Sequence, residues 1–241
     1  MLVNLRNKGT VTGNDLLAIP FPLDEFLQKI THIRELSQRL SALQSTFSSP
    51  SSEGELIDNI KALAHRIATD HAKQVEVTTE LALLVQLPDH VRNSVNDITL
   101  QLLRNAIVHG IENSSKRQQQ AKSDTGNVHI SLQRVGEEYE LRVRDDGEGL
   151  VPQKIRENLV SKGLYNSTQL EELDDRQIIM KIFESGFSTL DTANKDAGHG
   201  VGLDVVKHMI GQLGGRLSIS TKQHLYTEFN IRFPSAQGVT A

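Results

Sequence analysis

Cysteine is absent from the 241-residue sequence, which excludes disulfide scaffolds, thiol catalysis and zinc sites with cysteine ligands. Tryptophan is also absent, and with 3 Tyr and 7 Phe the chain has few side chains on which nucleic-acid bases could stack. No apolar run approaches the roughly 20 residues of a membrane helix, and the start of the chain lacks the apolar segment of a signal peptide. The net charge of -4 argues against a generic nucleic-acid or anionic-membrane binder. We therefore expect a cytoplasmic protein that binds no nucleic acid and has no membrane segment.

The first 50 residues differ in pattern from the rest of the chain. Residues 1–21 have no strong period, whereas residues 22–47 predict a helix whose apolar residues are spaced three and four apart: Ile33, Leu36, Leu40, Leu43 and Phe47. This apolar seam could pair with its copy in a homodimer, or it could pack on its own domain. Because a serine-rich segment at 48–52 breaks the pattern, we assign residues 1–50 to a leader and helix, a dimerisation or linker segment. Residues 51–241 form the second unit.

Residues 51–241 alternate between helical and strand-like periods. Helices are predicted over 52–71, 88–112 and 201–212, with two more helical patterns in 151–183; strands are predicted over 75–78, 128–133 and 139–144, with a final hairpin over 217–233. The polar segment 113–126 is predicted to be a loop. We therefore expect an α+β fold, a two-layer α/β sandwich in which helices cover one face of a mixed, mostly antiparallel sheet.

The first polar cluster lies on the predicted buried helix 88–112. Asp97, Gln101, Asn105 and Glu112 share a narrow polar stripe, and His109 stands four residues after Asn105. A buried amide without a partner costs a few kcal/mol, so this stripe needs either internal hydrogen bonds or a ligand. The amide oxygen of Asn105 is suited to Mg²⁺, and a satisfied structural amide is the equally open alternative.

The second cluster, residues 145–149, follows directly on a predicted strand. A carboxylate at the strand end can accept a hydrogen bond from a ligand amine, and the glycines let a ligand lie against the backbone. An acidic turn or a calcium loop is the alternative, although the oxygen-ligand spacing of an EF-hand is missing. The third cluster has Gly198, Gly200 and Gly202 directly before a predicted helix, an arrangement typical of a phosphate site at a helix N-terminus, and a flexible turn that caps the helix is the equally open alternative.

In their order along the chain, with residues 183–189 between the second and the third, the clusters resemble the N, G1, F and G2 boxes of a known ATP-binding domain. Histidine kinases, DNA gyrase, HSP90 and MutL share that domain, and the chain is most similar to the chemotaxis-type, CheA-like histidine kinases. The matching stretches are 102–112, 145–150, 182–189 and 198–207, and the similarity covers about residues 55–235. The resemblance implies the Bergerat (GHKL) fold and assigns residues 51–241 to a histidine-kinase-type catalytic domain.

The resemblance also implies ATP and Mg²⁺ as cofactors and a role for each matched residue. Asn105 would coordinate Mg²⁺ between the ATP phosphates, with Gln101 and His109 beside it as catalytic residues, and Asp145 would bind the adenine amino group. The other implied nucleotide contacts are Arg104 near the phosphates, Gly147 and Gly149 in the adenine pocket, Phe183, Phe187, Ser188 and Thr189 in a lid, and Gly198, His199, Gly200, Val201, Gly202 and Leu203 around the phosphates.

Three positions depart from the pattern of the chemotaxis kinases. Gln101 stands where those kinases usually have His, and glutamine cannot act as a general base although it can orient a metal-bound water. Val108 replaces the usual Asp, and His199 replaces the usual Arg, so a fixed charge becomes a titratable one. These changes support the alternative of a catalytically degenerate nucleotide-binding module. A gyrase- or MutL-like ATPase is a further alternative.

The resemblance implies a phosphoacceptor-histidine domain and a response regulator as partners. Within this chain, His32 on the first predicted helix is a candidate acceptor, but the Glu and Pro expected after such a histidine are absent. We therefore expect the acceptor on another domain or on a partner protein.

Overall fold

The computed structural model describes residues 53–184, residue 187 and residues 203–235. The leader, the helix with its homodimer seam and the candidate acceptor His32, all predicted within residues 1–50, lie outside this part of the chain. Within the described residues, no helix combines the length and apolar character needed to cross a membrane.

Five strands of the described residues form one mixed sheet. They are β1 (Gln74–Glu80), β2 (Thr125–Val135), β3 (Glu138–Asp145), β4 (Arg216–Lys222) and β5 (Tyr226–Pro234), in the spatial order β1-β2-β3-β5-β4. β1 pairs with β2 in parallel, and the other neighbours are antiparallel. The predicted α+β class with a mostly antiparallel sheet is therefore confirmed.

Seven α-helices accompany the sheet in the described residues: α1 (Glu53–Asp70), α2 (Asp89–Asn105), α3 (Ser114–Gln119), α4 (Pro152–Ser161), α5 (Ser167–Glu171), α6 (Asp175–Met180) and α7 (Leu203–Gln212). α1 packs against β1, α2 against β3 and α7 against β4, and α7 also contacts α2. The apolar face of the sheet, with Val128, Val143 and Phe229 on it, is buried under these helices.

The opposite face of the sheet is polar. Glu140 on β3 is fully buried there because Arg142 and Arg232 form ion pairs with its carboxylate, the second at 2.7 Å. Residues along these strands therefore alternate between the apolar face under the helices and this polar face, as the sequence pattern predicts.

Three predictions of secondary structure were wrong in detail: two of helices and one of a loop. The helix predicted over 88–112 ends at Asn105 and continues as one π-helical turn, Ala106–Gly110, closed by the Ile111 N–H donating to the Ala106 carbonyl at 2.8 Å. The segment 113–126, predicted as a loop, contains α3, whose first turn is capped by Asn113 accepting from the Lys116 N–H at 2.9 Å. Residues 151–183 form three α-helices rather than two, because two short ones begin at separate capping boxes.

Two alanines adopt the left-handed conformation that glycine usually occupies after a helix. Ala72 follows α1 with φ +51°, and Ala121 follows α3 with φ +55°. In both cases the next amide reaches back five residues, Lys73 to the Ala68 carbonyl at 2.8 Å and Lys122 to the Arg117 carbonyl at 2.9 Å. These bonds define a Schellman helix end.

We expect Ala72→Gly to raise the free energy of unfolding by about 0.5–1 kcal/mol. The left-handed conformation costs an alanine roughly 1–2 kcal/mol, and the extra backbone entropy of glycine in the unfolded chain offsets part of the gain. Urea denaturation of the variant and the wild type measures the difference. Ala68→Gly, within α1, is the control and should lower stability; an equal loss in both variants would contradict the strain at residue 72.

Candidate functional site

Asp145 is the last residue of β3, and its carboxyl lies on the buried face of the sheet. The residue is 3 % exposed, and its Oδ1 accepts a hydrogen bond from the Gly147 N–H at 2.9 Å. β3 ends here because the chain turns at once through Asp146, Gly147 and Glu148. The strand alternation that buries Leu141 and Val143 therefore also buries this carboxyl.

The surroundings of Asp145 raise the pKa of its carboxyl to about 7. Burial is the main cause, and the negative charges of Asp146 and Glu112 add to it, whereas the backbone amides of Gly147 and Thr227 act in the opposite direction. At neutral pH this carboxyl is poised between its protonated and ionised forms. A buried carboxyl with so perturbed a pKa is typical of a functional site, and a donor such as a ligand amine would satisfy it.

The turn after β3 is pressed against the end of the π-helical turn. The Gly110 carbonyl accepts a hydrogen bond from the Glu148 N–H at 2.9 Å. A Cβ atom on Gly147 would lie 2.1 Å from the Gly110 oxygen, and one on Gly110 would lie 3.0 Å from Asp145 Oδ1. The structure thus brings the first two polar clusters of the sequence together, through a backbone contact that only glycine permits at position 147 and a close contact of Gly110 with the Asp145 side chain.

The π-helical turn carries the first cluster. Asn105 ends α2 and is half-buried, as are Gln101 and Arg104, while His109 in the turn is exposed. Lys73 holds the turn from outside, because its ammonium donates to the carbonyls of Ile107 at 2.8 Å and Val108 at 2.7 Å.

Burial of Lys73 lowers the pKa of its ammonium, a shift that the nearby charge of Glu112 opposes and that of Lys116 reinforces. The two hydrogen bonds that Lys73 donates satisfy carbonyl groups left without a partner by the irregular helix end.

Gly149 meets the tip of the β4–β5 hairpin. Its φ is +74°, and a Cβ atom there would lie 2.5 Å from the Lys222 oxygen. The His224 N–H donates to the Glu148 carbonyl at 2.6 Å, and the Leu150 N–H donates to Thr221 Oγ1 at 2.8 Å. The hairpin tip therefore fixes the far end of the turn that begins at Asp145.

An ionic cluster behind this turn was missed by sequence reasoning. Arg117 on α3 and Lys122 after it form ion pairs with Glu112, and Arg117 also binds the carboxylate of Asp146. The segment is rich in Gln, Lys and Ser and has no apolar period, so the pattern gave no reason to bury it. The only usable signal was Asn113, a residue type that favours the start of a helix.

The residues predicted for the lid and the phosphate loop are only partly described. Phe183 is buried in the core and packs edge-on against Phe229 at 6.2 Å between ring centroids, and Phe187 is half-buried. Leu203 begins α7, the helix that packs against α2. Seven predicted residues lie outside the described part of the chain: Ser188, Thr189, Gly198, His199, Gly200, Val201 and Gly202.

The side chain of Asn105, at the end of α2, is chemically suited to bind a magnesium ion that is carried by a nucleotide. Mg²⁺ prefers oxygen ligands, keeps several waters and is commonly held by one or two protein groups together with phosphates. A half-buried amide oxygen of Asn105 is such a group. Among the residues that the structure describes, no cluster of three or more His, Asp or Glu side chains is arranged to hold a metal ion by itself.

Comparison with known proteins gives a family match over residues 90–237, to the family described as histidine kinase-, DNA gyrase B- and HSP90-like ATPases. Chemotaxis protein CheA of Bacillus subtilis is 35% identical over 165 residues, which are 67% of this chain and 25% of that protein. The sensor histidine kinase CheAY of Helicobacter pylori is 27% identical over 97% of this chain and 30% of its own length. The chain thus spans about a quarter to a third of these relatives. Among solved structures, a blue-light activated histidine kinase of Erythrobacter litoralis, EL346, aligns with a TM-score of 0.46 and 18% identity, covering 88% of this chain and 52% of that one.

Proposed function

The chain belongs to the family of histidine kinase-, DNA gyrase B- and HSP90-like ATPases, and from this premise we propose that it is the ATP-binding catalytic domain of a CheA-like sensor histidine kinase. In this proposal the γ-phosphate of ATP is transferred to a histidine on another domain or partner, which then passes it to a response regulator. The similarity to CheA and CheAY proteins favours this function over a gyrase- or MutL-like ATPase.

The observation that supports nucleotide binding most directly is the buried carboxyl of Asp145. It lies against the backbone of Gly110 and Gly147, with one hydrogen bond from the Gly147 N–H. An adenine amino group is a flat, neutral donor that can approach such a backbone closely. In the proposed site Asp145 accepts from that amino group, while Gly147 and Gly149 shape the pocket through their close packing against the backbone of Gly110 and Lys222.

The glycine-rich segment 198–202 and residues near the end of α2 are proposed to bind the phosphates. Asn105 would hold Mg²⁺ on the phosphate oxygens, and the ion would neutralise charge there. Arg104 and His109 would lie near the phosphates, and Gln101, one helical turn before Asn105, would orient a polar group beside them. Phosphoryl transfer needs positioning and charge stabilisation from the protein more than covalent chemistry, so these side chains suffice for the proposed role.

Phosphotransfer tests this function directly. The chain is incubated with ATP labelled at the γ-phosphate, Mg²⁺ and a phosphoacceptor-histidine domain of the CheA type. We expect label on a histidine of the acceptor, and we expect Asn105→Ala to reduce its rate at least about 100-fold, as for removal of a group that stabilises transferring charge. Asn158→Ala, an exposed asparagine on α4, is the matched control and should transfer normally.

Two other outcomes would contradict the proposal at different levels. If the chain bound ATP but the acceptor carried no label, the chain would be a catalytically degenerate nucleotide-binding module, the alternative that Gln101 and His199 support. If calorimetry showed no binding of ATP to the folded chain, both the kinase domain and the degenerate nucleotide-binding module would be excluded.

A further inference from the structure

Behind the turn that follows Asp145 lies a closed group of four charged side chains, Glu112, Arg117, Lys122 and Asp146, which we name the ionic clamp. We infer that the ionic clamp positions the Asp145 carboxyl and thereby sets the preference of the site for a purine with a 6-amino group. This inference rests on the proposed function, because it assumes that Asp145 faces the adenine ring.

Arg117 is the centre of the ionic clamp. It is 1 % exposed, and its guanidinium binds both carboxylate oxygens of Asp146, each at 3.1 Å, and Glu112 Oε2 at 3.2 Å. Its remaining donors reach the carbonyls of Ser123 at 2.5 Å and Thr125 at 3.2 Å. A buried guanidinium with partners on every side fixes the parts of the backbone that it joins.

Lys122 connects the ionic clamp to the peptide groups of the turn. Its ammonium donates to the carbonyls of Asp146 at 2.7 Å and Gly147 at 2.8 Å, as well as to Glu112 Oε1 at 2.8 Å. The Asp146 carbonyl and the Gly147 N–H belong to the same peptide unit. In a trans peptide these two groups point in opposite directions, so a lysine that holds the carbonyl aims the N–H.

The Gly147 N–H is the group that donates to Asp145 Oδ1 at 2.9 Å. Lys122 is therefore linked to the Asp145 carboxyl through one peptide group: its ammonium binds the Asp146 carbonyl, and the N–H of the same peptide group donates to Asp145. The ionic clamp contains two acidic and two basic side chains, so it supplies no net cation to Asp145. The charges of Glu112 and Asp146 also raise the pKa of the carboxyl, but the contact through the Gly147 N–H acts on its position, so Arg117 and Lys122 are positioning residues.

A 6-oxo purine distinguishes a well-placed carboxyl from a displaced one. Inosine triphosphate has an oxygen where ATP has the amino group, so it sets an acceptor opposite the carboxyl. If Asp145 is held in place, ATP binds more tightly than inosine triphosphate; if Asp145 is displaced, the hydrogen bond to the amino group weakens and the two nucleotides become more alike. A merely structural role would lower both affinities together.

The experiment measures the dissociation constants of ATP and inosine triphosphate, both with Mg²⁺, by calorimetry at pH 8, where the Asp145 carboxyl is mostly ionised and acts as an acceptor. We expect Lys122→Met to reduce the ratio of the two constants at least about 5-fold, a change of about 1 kcal/mol, and Lys122→Arg to restore most of it. Lys122 lies at the rim of the ionic clamp, with 13% of its side chain exposed, so its replacement disturbs the fold less than that of Arg117. Arg117→Lys is the second variant, and we expect it to reduce the ratio of the two dissociation constants as well.

Glu140→Gln is the matched control, since Glu140 is a fully buried ion-pair partner on the other face of the same strand. It should lower stability and leave the nucleotide ratio unchanged. In Asp145→Ala, whose side chain has no hydrogen-bonding group, adding Lys122→Met should produce no further change in the ratio. A wild-type ratio in the folded Lys122 and Arg117 variants would overturn this inference alone, whereas failure of the wild type to bind ATP would overturn the proposed function.

Discussion

Replacement of Asp145 by asparagine is expected to reduce ATP affinity at least about 20-fold and, in the unliganded protein, to increase stability at alkaline pH. The loss of affinity follows from removing a buried charged acceptor, whose hydrogen bonds contribute roughly 1.5–3 kcal/mol. The gain in stability has a different origin, because burial raises the pKa of the Asp145 carboxyl to about 7 in the folded protein.

The pH range of the stability effect follows from the direction of that pKa shift. The ordinary pKa of aspartate is 3.8, so between about pH 4 and pH 7 the folded state holds a proton that the unfolded state has released. The contribution of this group to stability is therefore fully present below about pH 4 and is lost as the pH rises through 7. At pH 8 the loss amounts to about 4 kcal/mol, which an uncharged asparagine avoids.

Urea denaturation at pH 5 and at pH 8 measures the effect. The stability difference between Asp145→Asn and the wild type should grow by about 2–3 kcal/mol between these two pH values. Asp58→Asn, an exposed carboxylate on α1, is the control and should stay within about 0.5 kcal/mol of the wild type at both. A constant difference for Asp145→Asn would contradict the raised pKa, and retained ATP affinity would contradict the assignment of the adenine site.

Gly147→Ala is expected to abolish ATP binding and to lower the free energy of unfolding by about 3 kcal/mol. The added Cβ would lie 2.1 Å from the Gly110 oxygen, 2.3 Å from its carbonyl carbon and 2.7 Å from Asp145 Oδ1. Two of these atoms are backbone and cannot rotate away. The turn must therefore separate from the end of the π-helical turn, and the carboxyl moves with it.

Gly211→Ala provides the control for this substitution. Gly211 lies within α7, and no described atom comes within 4 Å of the position of an added Cβ. Alanine is a better helix former than glycine, so this variant should be more stable by about 1 kcal/mol and should bind ATP normally. Thermal unfolding and calorimetry on both variants make the comparison. If Gly147→Ala bound ATP within a few-fold of the wild type, the turn would not be part of the nucleotide site.

Most of the sheet could be predicted from the sequence because it depends on short-range patterns, whereas the candidate site was assigned through the resemblance of its clusters to the motifs of an ATP-binding domain. Alternation of apolar and polar residues identified β2, β3 and the final hairpin, and the residues directly after β3 were predicted to carry a carboxyl into a glycine turn. Those features are local, since side chains on a strand alternate strictly and the end of a strand follows from its turn residues.

The details that depend on tertiary contacts could not be predicted in this way. The apolar period of α2 continues past Asn105, so nothing in the spacing marks the change to a π-helical turn that Lys73 supports from a distant part of the chain. The burial of Arg117 depends on Glu112 and Asp146, which lie 5 and 29 residues away in sequence. Local propensity does not predict that the polar segment 113–126 is packed behind the candidate site with a buried arginine.

The order of the strands has a consequence for how the protein is made. Among the described residues β5 is the last strand, yet it lies inside the sheet, between β3 and β4. While a ribosome is still synthesising Tyr226–Pro234, β3 has an open edge along the strand that ends at Asp145. The sheet can therefore close only after nearly the whole domain has left the exit tunnel, and a chain cut before Tyr226 would expose that edge to aggregation.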